Sequence, residues 1–251
     1  MTHPGETCIV VGASSGIGAA IARRLAADGC KVALLARRGD RIETLAKEIN
    51  QAAGRVLATA RVHDAADTDA AEGEFTAIEA ELGDVAALYY VAGVMPAVAL
   101  DEYDTQKDVL QFQVNTLGCI AWCNAAARRF AVRRRGFIVG VGSVAGDRGR
   151  AKRPGYCASK AGQDVHLEAL RNRLWAHGVS VTTIRPGFVD TEMTAGLALK
   201  GAISAETAAA AIVKAARKGK GIVYVPFKWR IIMTVIRFMP SFLFRRMAAL
   251  Q

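Results

Sequence analysis

The chain has little proline, no paired cysteine motif and no long hydrophobic run. It contains 6 prolines in 251 residues and no low-complexity tract, which excludes fibrous classes and long linkers. No run of about 18 uncharged apolar residues occurs, so no transmembrane helix is predicted. With 52% hydrophobic and 22% charged residues, disordered and coiled-coil classes are also excluded, and the length suits one α/β domain with a large core.

Cysteine usage argues against disulfide and metal chemistry. The 5 cysteines are an odd number and form no Cys-x-x-Cys pair. Cys119 and Cys123 lie on a predicted helix with no His or Asp beside them, so we expect no metal site. Residues 1–7 are polar, and the apolar run after them is too short for the core of a signal peptide. We therefore expect reduced thiols in a cytoplasmic protein.

Acidic residues are outnumbered by basic ones. Lysine and arginine total 33 against 23 acidic residues, which gives a formal net charge of +10. This balance suits an anionic partner, whether a phosphorylated cofactor, an anionic lipid surface or nucleic acid, and it also occurs on basic soluble surfaces that bind nothing. Because the chain lacks interleaved aromatic and basic residues and any recognition motif, we expect no nucleic-acid partner.

Short apolar segments alternate with helical segments along the chain. The predicted strands are residues 8–11, 31–36, 55–62, 86–91, 136–142, 179–185 and 221–225, and the predicted helices are residues 16–28, 40–53, 70–82, 107–130, 154–175 and 207–216. Nearly continuous apolar strands between helices indicate an α/β fold with a doubly wound parallel sheet, the Rossmann fold. We expect a single domain over residues 1–227 and an apolar, basic tail over residues 228–251. Ligands of such a sheet bind where its strands end.

A glycine-rich segment follows the first predicted strand. Gly12 permits a tight exit from the strand, Gly16 lets backbone N–H groups approach a pyrophosphate, and Gly18 permits close packing of helix on strand. The next helix begins there and points its positive end at the phosphates. The predicted dinucleotide-binding residues of this segment are Gly12, Ser14, Ser15, Gly16, Ile17 and Gly18.

Two arginines follow the second predicted strand. A chain that prefers NAD usually has Asp or Glu near this position to bind the ribose 2′-hydroxyl, and none is present at this strand end. The guanidinium groups of Arg37 and Arg38 suit a 2′-phosphate instead, through charge-assisted hydrogen bonds. The sequence therefore predicts NADP(H). The alternative is that both arginines belong to a solvated loop.

A serine, a tyrosine and a lysine form a candidate catalytic group. Ser143 follows the strand predicted at 136–142, and Tyr156 and Lys160 are four residues apart on one face of the next helix. A protonated lysine beside a phenol lowers the phenol's pKa from about 10 and makes Tyr156 a usable acid or base near neutral pH. Ser143 can hydrogen-bond a substrate carbonyl or hydroxyl. By itself, Tyr-x-x-x-Lys is also an ordinary helix-face pair.

These segments together resemble the short-chain dehydrogenase/reductase family over about residues 7 to 226. The resemblance implies catalytic Asn115, Ser143, Tyr156 and Lys160, and further cofactor contacts from Val62, Ala92, Gly93, Pro186, Gly187, Val189 and Thr191. By this resemblance Tyr156 protonates the carbonyl oxygen, Ser143 positions it, and Lys160 binds the nicotinamide ribose and tunes Tyr156. Asn115 would support a proton relay. The resemblance also implies a homodimer or homotetramer that pairs the helices predicted at 107–130 and 154–175.

The sequence departs from the family pattern at three places. Val11 stands where the family often has Thr, and Tyr90-Val91 replaces an Asn-Asn pair, so we expect less polar stabilisation of the middle strand. Arg61 replaces an Asp that often contacts adenine; it could stack on the ring or approach the 2′-phosphate. His63, His166 and His177 share no spacing, and we interpret them as surface or helix residues.

The C-terminal part of the chain has two unusual segments. Residues 188–204 contain Met193, Leu197, Leu199 and Ile203 with few charges, and they would form the substrate lid in this fold. Residues 228–247 combine large apolar residues with cations and no acid, and Pro240 interrupts them. They could lie in a membrane interface, or be buried in an oligomer interface or along the substrate cleft. Residues 218–246 and 146–148 also resemble a family subgroup that includes reductases of polyprenyl-phosphate-linked keto-sugars.

We therefore predict an NADP(H)-dependent oxidoreductase that reduces a ketone, or oxidises the secondary alcohol, of a bulky apolar or lipid-linked substrate. It would be cytoplasmic, with peripheral contact to the inner face of a membrane through residues 228–251. One alternative is a cytosolic reductase of small hydrophobic carbonyls such as steroids, 3-oxoacyl groups or aromatic ketones. Another is a non-catalytic NADP(H)-binding protein, which the intact Asn115, Ser143, Tyr156 and Lys160 argue against.

Overall fold

Strands and helices alternate along residues 3–195 and 200–247, which are the residues that the computed structural model describes. The strands are β1 (Thr7–Val11), β2 (Lys31–Ala36), β3 (Ala58–Val62), β4 (Val85–Tyr90), β5 (Phe137–Val141), β6 (Ser180–Pro186), β7 (Val189–Asp190), β8 (Ile203–Ser204) and β9 (Ile222–Val225). The helices are α1 (Gly16–Ala27), α2 (Gly39–Ala53), α3 (Ala70–Leu82), α4 (Thr105–Phe112), α5 (Gly118–Arg133), α6 (Pro154–Leu174), α7 (Ala205–Arg217), α8 (Lys228–Phe238) and α9 (Ser241–Arg246).

Seven strands form one parallel sheet in the order β3–β2–β1–β4–β5–β6–β9, and β7 pairs with β8 apart from it. The chain moves outward from β1 to β3 and then returns to place β4 on the other side of β1. The strand order therefore reverses between β1 and β4, which opens a crevice at their carboxyl ends. The predicted doubly wound parallel sheet is confirmed.

The core consists of two apolar layers, one on each face of the sheet. In β1, Cys8 and Val10 point into the layer that includes α1, α2 and α7, while Ile9 and Val11 point into the layer that includes α3, α5 and α6. All four side chains are buried. Burial on both faces explains why the strand sequences are continuously apolar instead of alternating.

The third strand is shorter than predicted. The prediction began at residue 55, whereas β3 begins at Ala58. The side chain of Asn50 is the reason, because its Oδ1 accepts hydrogen bonds from the backbone N–H groups of Leu57 and Ala58, both at 2.8 Å. The side-chain amide thereby holds the turn that leads into β3.

The long helix predicted at 107–130 is interrupted by a π-helical turn. Helical structure runs from Thr105 to Arg133, but Gln113–Leu117 form the wider turn between α4 and α5. Such turns are frequent at functional sites because they shift a side chain out of the regular helical register. Asn115 lies in the middle of this turn.

The tail forms two short helices that are separated at Met239 and Pro240, as the proline predicts. No helix within the described part of the chain is long and apolar enough to cross a membrane. In the predicted lid, Met193 and Ile203 are described, whereas Leu197 and Leu199 lie outside the described residues.

Candidate active site

A cavity of about 270 Å³ lies at the carboxyl ends of the strands, at the reversal of strand order. It brings together most of the site residues that the sequence predicts. The predicted residues that line it are Gly12, Ser14, Ser15, Gly16, Ile17, Gly18, Arg37, Arg38, Ala92, Gly93, Ser143, Tyr156, Lys160, Pro186, Gly187, Val189 and Thr191. Asn115 and Val62 are not among the lining residues.

The glycine loop makes backbone contacts that no larger residue permits. Gly12 has a φ of +94°, and a Cβ there would lie 2.5 Å from the backbone nitrogen of Ala92. A Cβ on Gly18 would lie 2.1 Å from the carbonyl oxygen of Gly12. The loop can therefore pack against the residues that follow β4 and turn at once into α1. The N–H groups at the start of α1 then face the cavity, where they suit the pyrophosphate of a dinucleotide.

Arg38 lies beside this loop at the end of β2. Its guanidinium donates hydrogen bonds of 2.8 Å to the hydroxyls of Ser14 and Ser15 and a third to Glu192. Glu192 also pairs with Arg41, and the hydrogen bonds from Arg38 and Arg41 lower the pKa of its carboxyl to about 2. Two serine hydroxyls and a cluster of guanidinium groups are donors of the kind that a phosphate ester needs.

Ser143 and Tyr156 lie next to each other in the lining of the cavity. Ser143 is the second residue after β5. Its Oγ accepts a hydrogen bond of 3.1 Å from the N–H of Ala145. Burial raises the pKa of Tyr156, and a hydrogen bond with Ser143 partly opposes that rise. The expected lowering of this pKa by Lys160 is not found, because removal of the phenol from water outweighs the favourable interactions here.

Lys160 is buried one helical turn after Tyr156. Its Nζ donates hydrogen bonds to the carbonyl oxygen of Val141 at 2.9 Å and to Oε1 of Gln163 at 3.0 Å. Burial lowers the pKa of Lys160 to about 8. The sequence analysis missed Gln163, although it stands three residues after Lys160 on the same helix and so shares its face.

Asn115 connects the loop after β4 to α6 through hydrogen bonds. Its Oδ1 accepts a hydrogen bond of 2.7 Å from the N–H of Val94, and its Nδ2 donates to the Val94 carbonyl and to Ser159 Oγ, both at 3.0 Å. Tyr90 assists from β4, because its hydroxyl donates to the carbonyl of Val114 in the π-helical turn. The expected loss of polar stabilisation at Tyr90-Val91 is therefore offset by this buried tyrosine.

Three neighbouring residues at the end of β3, where the family resemblance implies contacts to adenine, differ from expectation. Arg61 forms ion pairs of 2.9 Å with Glu74 and Glu81 and does not line the cavity. Val62 is largely exposed beside Gly39. The interpretation of His63 as a surface residue is wrong: the side chain is buried, lines the cavity and accepts a hydrogen bond of 3.1 Å from Trp122 Nε1. Its place directly after a strand is the signal that could have identified it.

A buried charged cluster lies between α6 and the turn after Ser143. Arg185 donates hydrogen bonds of 2.7 Å to Asp164 on α6 and to Asp147 in the turn after Ser143, and another of 2.8 Å to the hydroxyl of Tyr224. Burial raises the pKa of Asp164 to about 6, against the attraction of Arg185. This cluster joins the turn after Ser143, α6, β6 and β9 behind the cavity.

Known proteins share this sequence pattern. A sequence model of the family described as short chain dehydrogenase matches residues 6–201. An uncharacterised oxidoreductase of Mycobacterium tuberculosis is 32% identical over 241 residues, which cover 95% of this chain and 96% of that protein. The 3-oxoacyl-[acyl-carrier-protein] reductase of Bos taurus is 34% identical over 196 residues, covering 76% of this chain and 79% of the relative.

The fold is shared as well. The structure of a short-chain type dehydrogenase/reductase from Mycobacterium ulcerans aligns with a TM-score of 0.81 over 89% of both chains, at 22% sequence identity. That likeness concerns the fold, whereas the match over residues 6–201 concerns the sequence that builds the cavity. With the glycine loop and the Ser143, Tyr156 and Lys160 side chains around one cavity, the chain belongs to the short-chain dehydrogenase/reductase family.

Proposed function

We propose that the protein is an NADP(H)-dependent oxidoreductase that reduces a ketone, or oxidises the matching secondary alcohol, on a bulky apolar or lipid-linked substrate. The observation that carries the proposal is the placement of Ser143, Tyr156 and Lys160 around the same cavity as the glycine loop. Members of this family use nicotinamide cofactors. When bound, the cofactor supplies or accepts the hydride.

The chain's own residues provide the proton and the geometry. In the direction of reduction, the hydroxyl of Tyr156 donates its proton to the carbonyl oxygen of the substrate, and Ser143 holds that oxygen by a hydrogen bond. The Lys160 ammonium stabilises the phenolate that forms. Asn115 and Gln163 position the loop after β4 and the lysine, respectively. The buried surroundings exclude water from the proton transfer.

The preference for NADP(H) rests on the arginines at the end of β2. Arg37 and Arg38 line the cavity, the two residues that directly follow β2 are these arginines and not an acid, and Arg38 already engages the serines of the glycine loop as well as Glu192. Replacement of Arg37 and Arg38 by alanine removes charge-assisted hydrogen bonds, so we expect the KM for NADPH to rise about 10-fold to 100-fold while that for NADH changes little. Arg23→Ala, which removes an exposed arginine of α1, is the matched control.

A second candidate function follows from a relative. The similarity to a 3-oxoacyl-[acyl-carrier-protein] reductase favours a smaller or more soluble carbonyl substrate. The two candidates differ in how turnover depends on the apolar length of the substrate. The aromatic pair Phe188 and Trp229, with ring centres 4.9 Å apart next to Gly187, and the cavity residue Met193 favour the bulky apolar substrate.

The test is NADPH oxidation, with NADH in parallel, against ketones of increasing chain length presented in detergent micelles. Turnover that rises with chain length and prefers NADPH supports the proposal. Equal or better turnover of short soluble ketones favours the reductase of small carbonyls. A preference for NADH contradicts the assignment of Arg37 and Arg38.

A further inference from the structure

Helix α8 is apolar on two different sides, and the domain covers only one of them. Trp229, Met233 and Ile236 follow each other at helical spacing and form its inner stripe. Met233 is fully buried, and the indole of Trp229 lies so close to Gly187 that a Cβ there would come within 1.8 Å of Nε1. Arg148 donates hydrogen bonds to the carbonyl oxygens of Ile236 and Met239, the latter at 2.6 Å. The inner stripe is therefore explained by packing on the domain.

The opposite side of α8 carries a second apolar stripe that nothing in the described chain covers. This outer stripe consists of Ile231, Val235 and Phe238, which are 62%, 61% and 84% exposed. Phe242 and Leu243 of the neighbouring helix α9 are exposed as well. A surface helix of the same domain looks different, since α2 presents charged residues such as Lys47 and Glu48 to solvent. A stripe of exposed apolar side chains along one side of a helix, with further ones on the next helix, favours an interaction site.

The charges around the outer stripe are all positive. Residues 228–247 contain five cations and no acid: Lys228, Arg230, Arg237, Arg245 and Arg246. Arg237 lies 3.9 Å from Asp147, and the other four form no ion pair with a carboxylate in the described residues. Half of the chain's net charge of +10 therefore lies in this segment, together with the exposed Ile231, Val235 and Phe238.

We propose that α8 and α9 form a peripheral docking surface for a membrane that contains anionic lipids. The outer stripe would enter the boundary between headgroups and acyl chains, and the cations would contact lipid phosphates. A second copy of this chain fits the surface poorly, because two such faces would bring like charges together. The inference goes beyond the proposed reaction, since it concerns where the protein acts and holds for any substrate.

The docking surface is fixed to the active site by the inner contacts. Trp229 packs on Gly187, which lines the cavity, and Arg148 follows Asp147 of the charged cluster behind Ser143. A membrane bound to the outer stripe would therefore hold the cavity at a constant orientation to the lipid surface. Such an arrangement suits a substrate that resides in the membrane.

Vesicle sedimentation with the full chain tests the proposal. The probes are vesicles of phosphatidylcholine alone and vesicles that also contain phosphatidylglycerol, each at low and high salt. We expect binding to the anionic vesicles that weakens as salt increases. Failure to bind anionic vesicles at low salt, or equal binding to both kinds, would overturn it.

Two pairs of substitutions separate the apolar and the electrostatic contributions. Ile231→Ser with Val235→Ser should weaken binding about tenfold or more. Its matched control is Val56→Ser with Val132→Ser, which removes two valines that are even more exposed (72% and 84%) elsewhere and should change nothing. Arg245→Gln with Arg246→Gln should weaken binding about 25-fold, at about fivefold for each cation, whereas Lys47→Gln with Arg55→Gln should have no effect.

The outcome is independent of catalysis, because sedimentation needs neither cofactor nor substrate. Thermal unfolding of each variant shows that it is folded. If the variant with Ile231→Ser and Val235→Ser binds vesicles like the unaltered protein, the proposal is wrong. The proposal is also wrong if light scattering shows that these two substitutions abolish self-association instead of vesicle binding, since the outer stripe would then be an interface between copies. A protein that binds vesicles but reduces no ketone would leave this inference standing and contradict the proposed function.

Discussion

At the scale of single residues, burial sets the ionisation of the groups that carry the proposed chemistry. It raises the pKa of Tyr156 and lowers that of Lys160 to about 8. Both shifts favour the neutral form, as expected where low polarity disfavours charge. Tyr156 thereby retains its proton for donation at neutral pH. Lys160 stays mostly cationic only while the pH remains below about 8.

The lowered pKa of Lys160 predicts a specific pH dependence of ketone reduction. As the pH rises through about 8, Lys160 loses its proton and its ability to stabilise the tyrosinate. We expect kcat/KM for NADPH in the direction of reduction to fall above that pH, because this parameter reports ionisation of the free enzyme. A steady-state pH profile checks it. A profile that stays flat until an ordinary lysine titrates, at about 10.4, would contradict the role of burial.

At the scale of elements, the main polar contacts between the tail and the domain, among the described residues, come from one arginine. Arg148 binds the carbonyl groups at the end of α8 and stacks on the ring of Phe244, with 4.0 Å between its Cζ and the ring centre. The last turn of a helix leaves acceptors free, and the Ile236 carbonyl accepts only a long hydrogen bond of 3.3 Å from the N–H of Met239 besides those from Arg148. The arginine therefore serves as a C-terminal cap that is supplied by the segment after Ser143.

Arg148→Ala should loosen the tail without unfolding the domain. Charge-assisted hydrogen bonds to these carbonyls contribute about 1.5–3 kcal/mol, so local opening of α8 should become at least tenfold more frequent. Hydrogen exchange of the backbone amides in α8 measures this directly. Lys152→Ala, which alters an exposed cation in the same loop, is the control. Unchanged exchange in α8 would show that the inner stripe alone holds the tail.

Much of the fold could be predicted from the sequence because strands buried on both faces have a distinctive apolar pattern. The glycine loop and Ser143, Tyr156 and Lys160 could also be placed, since each stands just after a strand or at helical spacing. The π-helical turn at Asn115 and the short β3 could not, because side-chain hydrogen bonds from Tyr90 and Asn50 determine them. Single side-chain hydrogen bonds of this kind leave no periodic signal in the sequence.

At the scale of the whole molecule, the buried cluster of Arg185, Asp164 and Asp147 joins separate parts of the chain. These side chains are 12%, 3% and 1% exposed, so their charges must compensate each other. The residues were not predicted as a group, because they come from a turn, a helix and a strand that are distant in sequence. The cluster fixes the position of the turn after Ser143 relative to α6.

Arg185→Met should destabilise the protein strongly at neutral pH. It leaves two buried carboxylates without their partner, which costs about 3–5 kcal/mol. The folded-state pKa of Asp164, about 6, already lies above its usual value of about 3.9, so a fall in pH through that window favours the folded state at this residue. Without Arg185 this pKa rises further. The loss of unfolding free energy caused by Arg185→Met should therefore become smaller as the pH is lowered.

Urea denaturation of the Arg185→Met variant and the unaltered protein between neutral and mildly acidic pH measures this difference. Arg171 is a partly buried arginine that binds the backbone carbonyls of Val181 and Gly221, and it pairs with no carboxylate among the residues that the structure describes. Arg171→Met serves as the control, and its penalty should not shrink in the same window. A penalty for Arg185→Met that is independent of pH would show that the carboxylates gain no proton.

We also propose that the protein assembles as a homodimer or homotetramer through α4, α5 and α6. Leu117 and Val165 are exposed on the π-helical turn and on α6, which pack together. Leu117→Asp with Val165→Asp should place charges in this interface and yield monomers in light scattering. Val132→Asp, at the distal end of α5, should leave the assembly intact. A monomeric unaltered protein would exclude the assembly.

The central claim is that this cavity carries out hydride transfer with Tyr156 as the acid. The most direct measurement compares NADPH oxidation by the unaltered protein and by Tyr156→Phe, with a long-chain ketone as substrate, alongside NADPH binding followed by fluorescence. We expect turnover to fall about 10²-fold to 10⁴-fold while the affinity for NADPH stays the same, because only the transferable proton is removed. Unchanged turnover by Tyr156→Phe would contradict the account.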